Sequence, residues 1–386
     1  MNLRDHKDTK TRRRALEKEL SVDVPHIAAY TPDLEIASTK NCENMIGAVQ
    51  IPLGIAGPLK IQSSELKVQS YYLPLATTEG VLVASISRGC KAITQAGGAI
   101  VHTHKVGTTR GPVFYTGSIR EGTRLHNFVK NQKAKIKKIA EGTSNHLELK
   151  DIKTKSIPNY TFLRFSYDTG DAMGMNMVTI ATQAAGEFIE KETGIPCLSV
   201  AGNFDVDKKP AWLNSINHRG IKAWAEVVLQ RRILKDILKT TPEKFFDVWL
   251  GKVMLGSAVS GSIGFNAHIA NVIAALFIAT GQDPSHVVEG SLGITTAKVL
   301  DSGDLYVGVF LPSLLVGTVG GGTSLPTQKE ALSVLGVSGA GKVEEFAQIV
   351  VAACLAGEVS LLASLSEGSL ARAHERLGRD TVKNQK

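Results

Sequence analysis

Three of the six methionines in this chain fall within five residues, in the run Asp171-Ala172-Met173-Gly174-Met175-Asn176-Met177. The run opens a helical stretch that continues through Thr182-Gln183-Ala184-Ala185, with Asp171 placed as its N-cap and Gly174 leaving the first turn bare. Such a helix start offers free N–H groups to an anion, and thioethers can pack against a flat ring. A capped core helix with methionine as gap filler gives the same pattern, so the run gains meaning only from the rest of the chain.

The chain has 386 residues, room for two or three domains around a large core. With 43% hydrophobic, 21% charged and 6% aromatic residues, it reads as a soluble α/β or α+β protein. The net charge is +8, concentrated at Arg12-Arg13-Arg14, around residues 130–138 and at Arg231-Arg232. No stripe of basic residues interleaved with aromatics appears, so a highly phosphorylated small ligand explains the charge at least as well as nucleic acid. Cys42, Cys90, Cys197 and Cys354 are scattered, which indicates neither a disulfide framework nor a zinc site and fits a reducing, cytoplasmic setting. The first fourteen residues are charged and lack the apolar stretch of a signal peptide. The longest apolar stretches, 272–279 and 349–356, are too short to cross a bilayer. A soluble protein, with no membrane contact, is expected.

Residues 1–38 read as a helical lead-in, with a basic helix over 11–20. A strand and turns are expected over 49–58, and Ala76-Thr77-Thr78-Glu79-Gly80 leads into an apolar helix over 81–95. Between residues 112 and 199 the character changes: β-like runs at 113–115 and 160–167 flank a Lys-rich helix over 125–140, a compact α+β insertion. A polar loop over 201–212 precedes long helices expected over 221–238, 243–250, 263–280 and 342–364. The domain division is thus 1–38, then 39–111 with 200–386, with 112–199 inserted.

Gly317-Thr318-Val319-Gly320-Gly321-Gly322-Thr323 is Gly-rich but has neither the G-x-G-x-x-G spacing nor a P-loop lysine; it lets a backbone approach a ligand closely. Asp207-Lys208-Lys209-Pro210 sets two lysines beside an aspartate in a loop. Glu79 stands at an apolar helix start, Asp283 follows a helix end at Gly281, and His374 lies in a charged C-terminal stretch.

These segments, in order and spacing from about residue 41 to 380, resemble the 3-hydroxy-3-methylglutaryl-CoA reductases, in the catalytic-domain form of the class I enzymes. The resemblance is carried by Glu43-Asn44-Met45-Ile46-Gly47, Gly54-Ile55-Ala56-Gly57-Pro58-Leu59, Ala76 to Gly80 and Arg88-Gly89-Cys90. It continues through Thr109-Arg110-Gly111-Pro112, the methionine run, Gly202-Asn203 through Pro210, and Gly256-Ser257-Ala258. Asn266-Ala267-His268 with Asn271, Gly281-Gln282-Asp283 and the glycine run complete it. It implies a four-electron reduction of the thioester to mevalonate, with two hydrides from NADPH, or NADH, and release of CoA. The implied fold is α+β: a large mixed CoA-binding domain with an inserted ferredoxin-like, non-Rossmann dinucleotide-binding domain.

The resemblance also implies roles. Lys208 stabilises the oxyanion formed from the thioester carbonyl; His374 protonates the leaving thiolate. Glu79 supplies a proton to the aldehyde intermediate, while Asp283 raises the pKa of Glu79 and keeps the lysine charged. Arg110, Asp207, Lys209, Lys252 and Asn271 fall at positions for the hydroxymethylglutaryl group. Arg88, Lys91 and Lys239 fall at basic positions for CoA. Asp171, Met173, Gly174, Met175, Asn176, Ser144, Val319, Gly320, Gly322 and Arg379 fall at positions for the dinucleotide. No metal is implied. The active sites would form between subunits of a homodimer, or a tetramer, with Glu43 to Gly47 as a contact segment.

The chain departs from the class I pattern in places. Ala201 stands where a serine precedes Gly-Asn; Asn145 and Asp168 stand where basic residues favour the 2′-phosphate of NADPH; Asp380 replaces a serine that is phosphorylated in eukaryotic members. Oxidation of mevalonate with NAD on the same fold, and a non-catalytic anion- or nucleic-acid-binding protein, remain as alternatives.

Overall fold

Beyond Arg219 the chain alternates: Ile221, Ala223, Ala225, Val227 and Leu229 are buried, whereas Trp224 and Val228 face outward. That is the period of a strand. In the computed structural model, which describes residues 3–63 and 68–368, Gly220–Leu229 is indeed a strand and not the first half of a helix over 221–238. Only the short helical turns Arg231–Ile233 and Leu234–Leu238 follow it.

The strands are β1 (Leu53–Ser63), β2 (Val68–Ala76), β3 (Ala99–Arg110), β4 (Val113–Tyr115), β5 (Glu148–Ile157), β6 (Tyr160–Asp168), β7 (Cys197–Ser199), β8 (Gly220–Leu229), β9 (Ile294–Val299) and β10 (Leu305–Leu314). A large sheet runs β2-β1-β3-β8-β10-β9, antiparallel throughout except where β1 meets β3. A smaller antiparallel sheet runs β7-β4-β6-β5. β3 serves both: its first part lies in the large sheet, and Thr108, Thr109 and Arg110 pair with Tyr167, Ser166 and Phe165 of β6.

Within the smaller unit, helices Ile119–Asn131 and Lys133–Glu141 stand between β4 and β5, and Met175–Thr193 stands between β6 and β7. The single Lys-rich helix expected over 125–140 is therefore two, parted at Gln132. Leu125, Ile136, Phe165, Val178 and Ala185 belong to a core of their own. The remaining buried apolar residues form a second core under the large sheet. The helix expected from residue 263 begins only at Ile269, and in place of the strand and turns expected over 49–58 a strand starts at Leu53 and runs to Ser63.

Helix Val343–Glu367 lies at the centre of this second core, against β3, β8, β10 and helices Leu82–Gln95 and Ile269–Thr280. Its 25 residues are long and apolar enough to cross a membrane, more than the stretch 349–356 suggested, but most of it is buried inside the protein. Gly89 is the close point: a Cβ there would sit 1.9 Å from the carbonyl oxygen of Ala356, so only glycine lets the two helices cross. At the N-terminal lead-in, the basic helix Thr9–Leu20 holds the segment after it, with Arg12 donating to the Met45 carbonyl and Arg13 to the Ile46 carbonyl.

Glu358 is the one acid in the middle of the central helix, and it is fully buried. Its carboxylate accepts from the backbone N–H groups of Ala267 and His268, at 2.7 and 2.8 Å, and from the Thr295 hydroxyl at 2.7 Å. It thereby caps the Ile269–Thr280 helix from another element, and its charge meets the positive end of that helix. Glu358→Ala would leave three buried donors without a partner; we expect a loss of about 3 kcal/mol or more in unfolding free energy. Chemical denaturation of wild type and variant checks it, and a loss under about 1 kcal/mol would mean that water replaces the carboxylate.

Candidate active site

The methionine run does not cap its own helix with Asp171. Helix Met175–Thr193 starts from Gly174, in the left-handed region at φ 85°, and the Asp171 carboxylate turns the other way. It accepts from the backbone N–H groups of Gly341, Lys342 and Val343, at 2.8, 3.1 and 3.1 Å, at the start of the central helix. Burial alone would raise the Asp171 carboxyl, but these N–H groups and Lys105 outweigh it and hold it below the ordinary carboxylate value. One side chain thus fastens the loop of the smaller unit to the main helix of the larger one.

The glycine run is fitted to the same loop. A Cβ on Gly317 would lie 2.7 Å from the Met173 nitrogen, and the Thr318 N–H donates to the Asp171 carbonyl at 2.9 Å. At the other end, a Cβ on Gly322 would lie 2.5 Å from the carbonyl oxygen of Gly281, just before Asp283. The close approach expected toward a ligand is therefore, at these two glycines, an approach of backbone to backbone. Gly320 and Gly321 between them have positive φ and open space where a side chain would stand. Val319 is half-buried, Asn176 is exposed on the first turn of its helix, and the Ser144 hydroxyl donates to the Met177 sulfur at 3.2 Å. The Met173 carbonyl accepts from the Thr108 hydroxyl at 2.8 Å.

The second group of residues gathers around a charge that lacks any motif. Arg219, the residue before β8, is fully buried. Its guanidinium donates to Glu289, to Asp207 Oδ1 at 2.9 Å, to the Thr109 hydroxyl at 2.8 Å and to the Met175 sulfur at 3.0 Å. Glu289, also fully buried, further accepts from the Lys208 N–H at 3.2 Å and faces His286 Nδ1 at 2.9 Å. Arg110 lies 3.4 Å from Asp207 and 3.5 Å from the buried Asp205. Burial raises the Asp205 carboxyl, against the pull of Arg219 and Arg110. Asp207, His286 and Glu289 present ligand atoms within 4.8 Å of one another. Arg219 spans the two carboxylates and supplies the positive charge there.

On this floor stands the pair of Lys208 and Asp283, Nζ to Oδ2 at 2.9 Å. Lys208 is partly exposed and sits at φ 57°, a strained position for a lysine, held by the N–H bond to Glu289. Asp283 caps the turn Pro284–His286 by accepting from the Ser285 N–H and hydroxyl. Burial would raise its carboxyl, but the bonds from Ser285 and Lys208 win and bring it down to about 2. Asp283 is therefore a carboxylate at any ordinary pH.

Among the described residues, the other expected residues make no side-chain hydrogen bond or ion pair with this pair. Glu79 is exposed on the turn before helix Leu82–Gln95, and among the described residues no hydrogen bond or ion pair joins its carboxylate to Lys208 or Asp283. Lys209 and Lys252 are exposed, with Lys209 Nζ donating to the Asp207 carbonyl at 3.1 Å; Asn271 is half-buried on the first turn of helix Ile269–Thr280. Arg88 and Lys91 line a cavity of about 550 Å³ together with Asp236 and Ile237, close in sequence to Lys239. The Arg88 guanidinium, however, is engaged by the Ser360 carbonyl at 2.7 Å, the Ser364 hydroxyl and Glu367, which leaves Lys91 as the exposed cation. His374, Arg379 and Asp380 lie outside the described residues. Sequence reasoning missed Arg219, Glu289 and His286; the available signal was the lone arginine ahead of an alternating apolar run, and a His and Glu three apart just after Asp283.

Known proteins match this chain along almost its whole length. The family model for hydroxymethylglutaryl-coenzyme A reductase matches residues 8–379. A 3-hydroxy-3-methylglutaryl-coenzyme A reductase of Methanothermobacter thermautotrophicus is 48% identical, over 95% of this chain and 92% of its own. One of Methanocaldococcus jannaschii is 50% identical, over 96% of this chain and 93% of its own. Among solved structures, the class II 3-hydroxy-3-methylglutaryl-CoA reductase of Streptococcus pneumoniae bound to NADPH is 20% identical, covers 93% of this chain and 97% of its own, and superposes with a TM-score of 0.69, which shows a shared fold. The chain belongs to the hydroxymethylglutaryl-coenzyme A reductase family.

Proposed function

We propose that this chain reduces the thioester of hydroxymethylglutaryl-CoA to mevalonate and CoA, an oxidoreductase step of isoprenoid synthesis in the cytoplasm. The observation that carries the reading is the Lys208–Asp283 pair at 2.9 Å, raised above the buried Arg219–Glu289 floor. A cation held beside an open space is what a developing oxyanion requires. Lys208 meets the carbonyl oxygen of the thioester and later that of the aldehyde. Asp283, ionised, keeps the ammonium charged and aimed. Arg110, Asp207, Lys209, Lys252 and Asn271 are assigned to the hydroxymethylglutaryl group, and Lys91, with Arg88 and Lys239 beside it, to the phosphates of CoA. His374 is assigned to protonating the departing thiolate, and Glu79 to protonating the alkoxide of the second reduction. Two protons are consumed, one on each product.

A nicotinamide dinucleotide supplies the hydride in both reductions when bound. The open glycines Gly320 and Gly321, fixed against the Asp171–Met175 loop, fit a planar ring and its diphosphate. Asp171, Met173, Gly174, Met175, Asn176, Ser144, Val319 and Gly322 border that space. The order β4, helices, β5, β6, helix, β7 and the sheet order β7-β4-β6-β5 support a ferredoxin-like insertion over 112–199, with 1–38 as a lead-in and the rest as the CoA-binding domain. Class I membership is proposed on the ordered motifs. NADPH is the proposed reductant. NADH is the second reading, favoured by Asp168, whose carboxylate lies 3.9 Å from Lys150 and would oppose a 2′-phosphate.

Purified protein should oxidise two equivalents of NADPH per thioester, and Lys208→Ala should lower kcat at least about a hundredfold. A variant with near wild-type turnover would remove Lys208 from the oxyanion role.

Among the described residues Glu79 makes no hydrogen bond or ion pair with the lysine of its own chain, which favours a site completed by a second copy, a homodimer or a tetramer built from it. Mixed refolding of Glu79→Gln with Lys208→Ala chains should then recover about a quarter of wild-type activity, because half of the dimers carry one intact site. Complete inactivity of the mixture, with hybrid dimers demonstrated, would place all the groups in one chain.

A further inference from the structure

His286 has no part in the roles above, yet it is fully buried between two carboxylates. Its Nδ1 lies 2.9 Å from Glu289 Oε1, an oxygen that already accepts from Arg219 and from the Lys208 N–H. An oxygen so surrounded by donors acts as an acceptor, so Nδ1 carries a proton. His286 Nε2 is buried without a hydrogen-bond partner, and Asp283 Oδ2 stands 3.7 Å from it. If Nε2 were bare, its buried lone pair would face the ionised carboxylate of Asp283. A proton on Nε2 turns that opposition into attraction. The charged groups around the ring are Glu289 from its own helical turn, Asp283 before it and Asp207 across the loop, paired with Arg219, Lys208 and, at Asp207 and Asp205, Arg110.

We propose that His286 is a positioning residue that holds the charge of Asp283 through Nε2–H, so that Lys208 is free to turn from Asp283 to the substrate oxygen. The proposal rests on the assignment of Lys208 and Asp283 given above. Lys208 is partly exposed, whereas Asp283 is fixed by Ser285. When the ammonium moves to the oxyanion, Asp283 gives up its 2.9 Å partner. With His286 still facing it, the carboxylate is not left alone, and the move costs less. The benefit arises in the transition state, so it falls on kcat and not on KM.

Two substitutions separate this role from packing, because an Asn amide takes the place of Nδ1 and a Gln amide that of Nε2. The measurement is kcat and KM for hydroxymethylglutaryl-CoA and NADPH, with melting temperatures alongside. For His286→Asn, kcat should fall about tenfold with KM within about threefold. His286→Gln should recover most of that loss, again with KM within about threefold. Wild-type kcat in both variants, or equal damage in both, would overturn the proposal. Should neither variant fold, 15N-histidine spectra of the wild-type enzyme decide. A protonated Nε2 whose signal shifts on Asp283→Asn supports the role, and a bare Nε2 at the pH of turnover refutes it. Lys208→Ala measured beside them keeps the two readings apart. Substantial turnover there removes the site assignment itself, whereas an inactive Lys208→Ala with unaffected His286 variants removes only the role of His286.

Discussion

The architecture around the site depends on one desolvated cation. Taking a guanidinium and a carboxylate out of water costs several kcal/mol for each ion, and the attraction between them offsets this only with good geometry and with the remaining hydrogen-bonding atoms satisfied. On the side of Arg219 every guanidinium nitrogen is engaged, by four segments far apart in the chain: Thr109 at the end of β3, Met175 at a helix start, Asp207 in the lysine loop and Glu289 after Asp283, whose Oε2 alone stays without a partner. Every one of them comes from a different element of the site. If any moved away, a buried charge would lose a partner, so the pairing sets their mutual positions more tightly than apolar contact could. Its value lies in specifying one arrangement of loops rather than in net stability.

Two carboxylates do similar work at helix starts. Glu358 reaches from the central helix to the start of Ile269–Thr280, and Asp171 reaches from the smaller unit to the start of the central helix. In each case free N–H groups and the positive end of the helix meet an acid from another element. The glycine run then ties both halves of the chemistry together: Gly317 lies against the methionine loop and Gly322 against the turn that leads to Asp283. Neither contact leaves room for a methyl group. The run therefore acts as a fixed spacer between the side that would hold a dinucleotide and the side that carries Lys208, with only its tip at Gly320 and Gly321 open.

What could be read from the sequence followed from what is local. The methionine loop, the lysine loop, the turn at Asp283 and the glycine run were visible as ordered motifs, and the helices Thr9–Leu20, Leu82–Gln95 and Val343–Glu367 as local patterns. β8 was misread although its alternation is plain, because the helical residues after Leu229 extended an apolar pattern that a window too long averages away. Asp171 was assigned to the nearest helix, as capping preference suggests, while its actual partners are 170 to 172 positions away. Arg219, His286 and Glu289 had no motif at all. A charged residue is buried when its partner arrives, and partners separated by 70 residues are invisible to periodicity. Glu358 is an intermediate case: an acid inside a long apolar run can be stable only with donors around it, which is a sequence signal even though the donors are not named by it.

The same reasoning explains why Lys208 remains partly open while the groups beneath it are closed. A lysine buried as deeply as Arg219 would be pushed toward its neutral form, and its charge would be lost to the reaction. A lysine fully in water would keep its charge, but water would screen it and let it wander. The structure divides these requirements. The backbone of Lys208 is held by its N–H bond to Glu289 at an unfavourable φ, whereas the ammonium projects to the edge and rests on Asp283. The deep ions Arg219 and Glu289 are thus kept dry and paired, and the cation proposed to meet a changing charge is given a fixed root and a movable end. Preorganisation here lies in the buried layer, so a lysine in the proposed role can change partners without the layer having to rearrange.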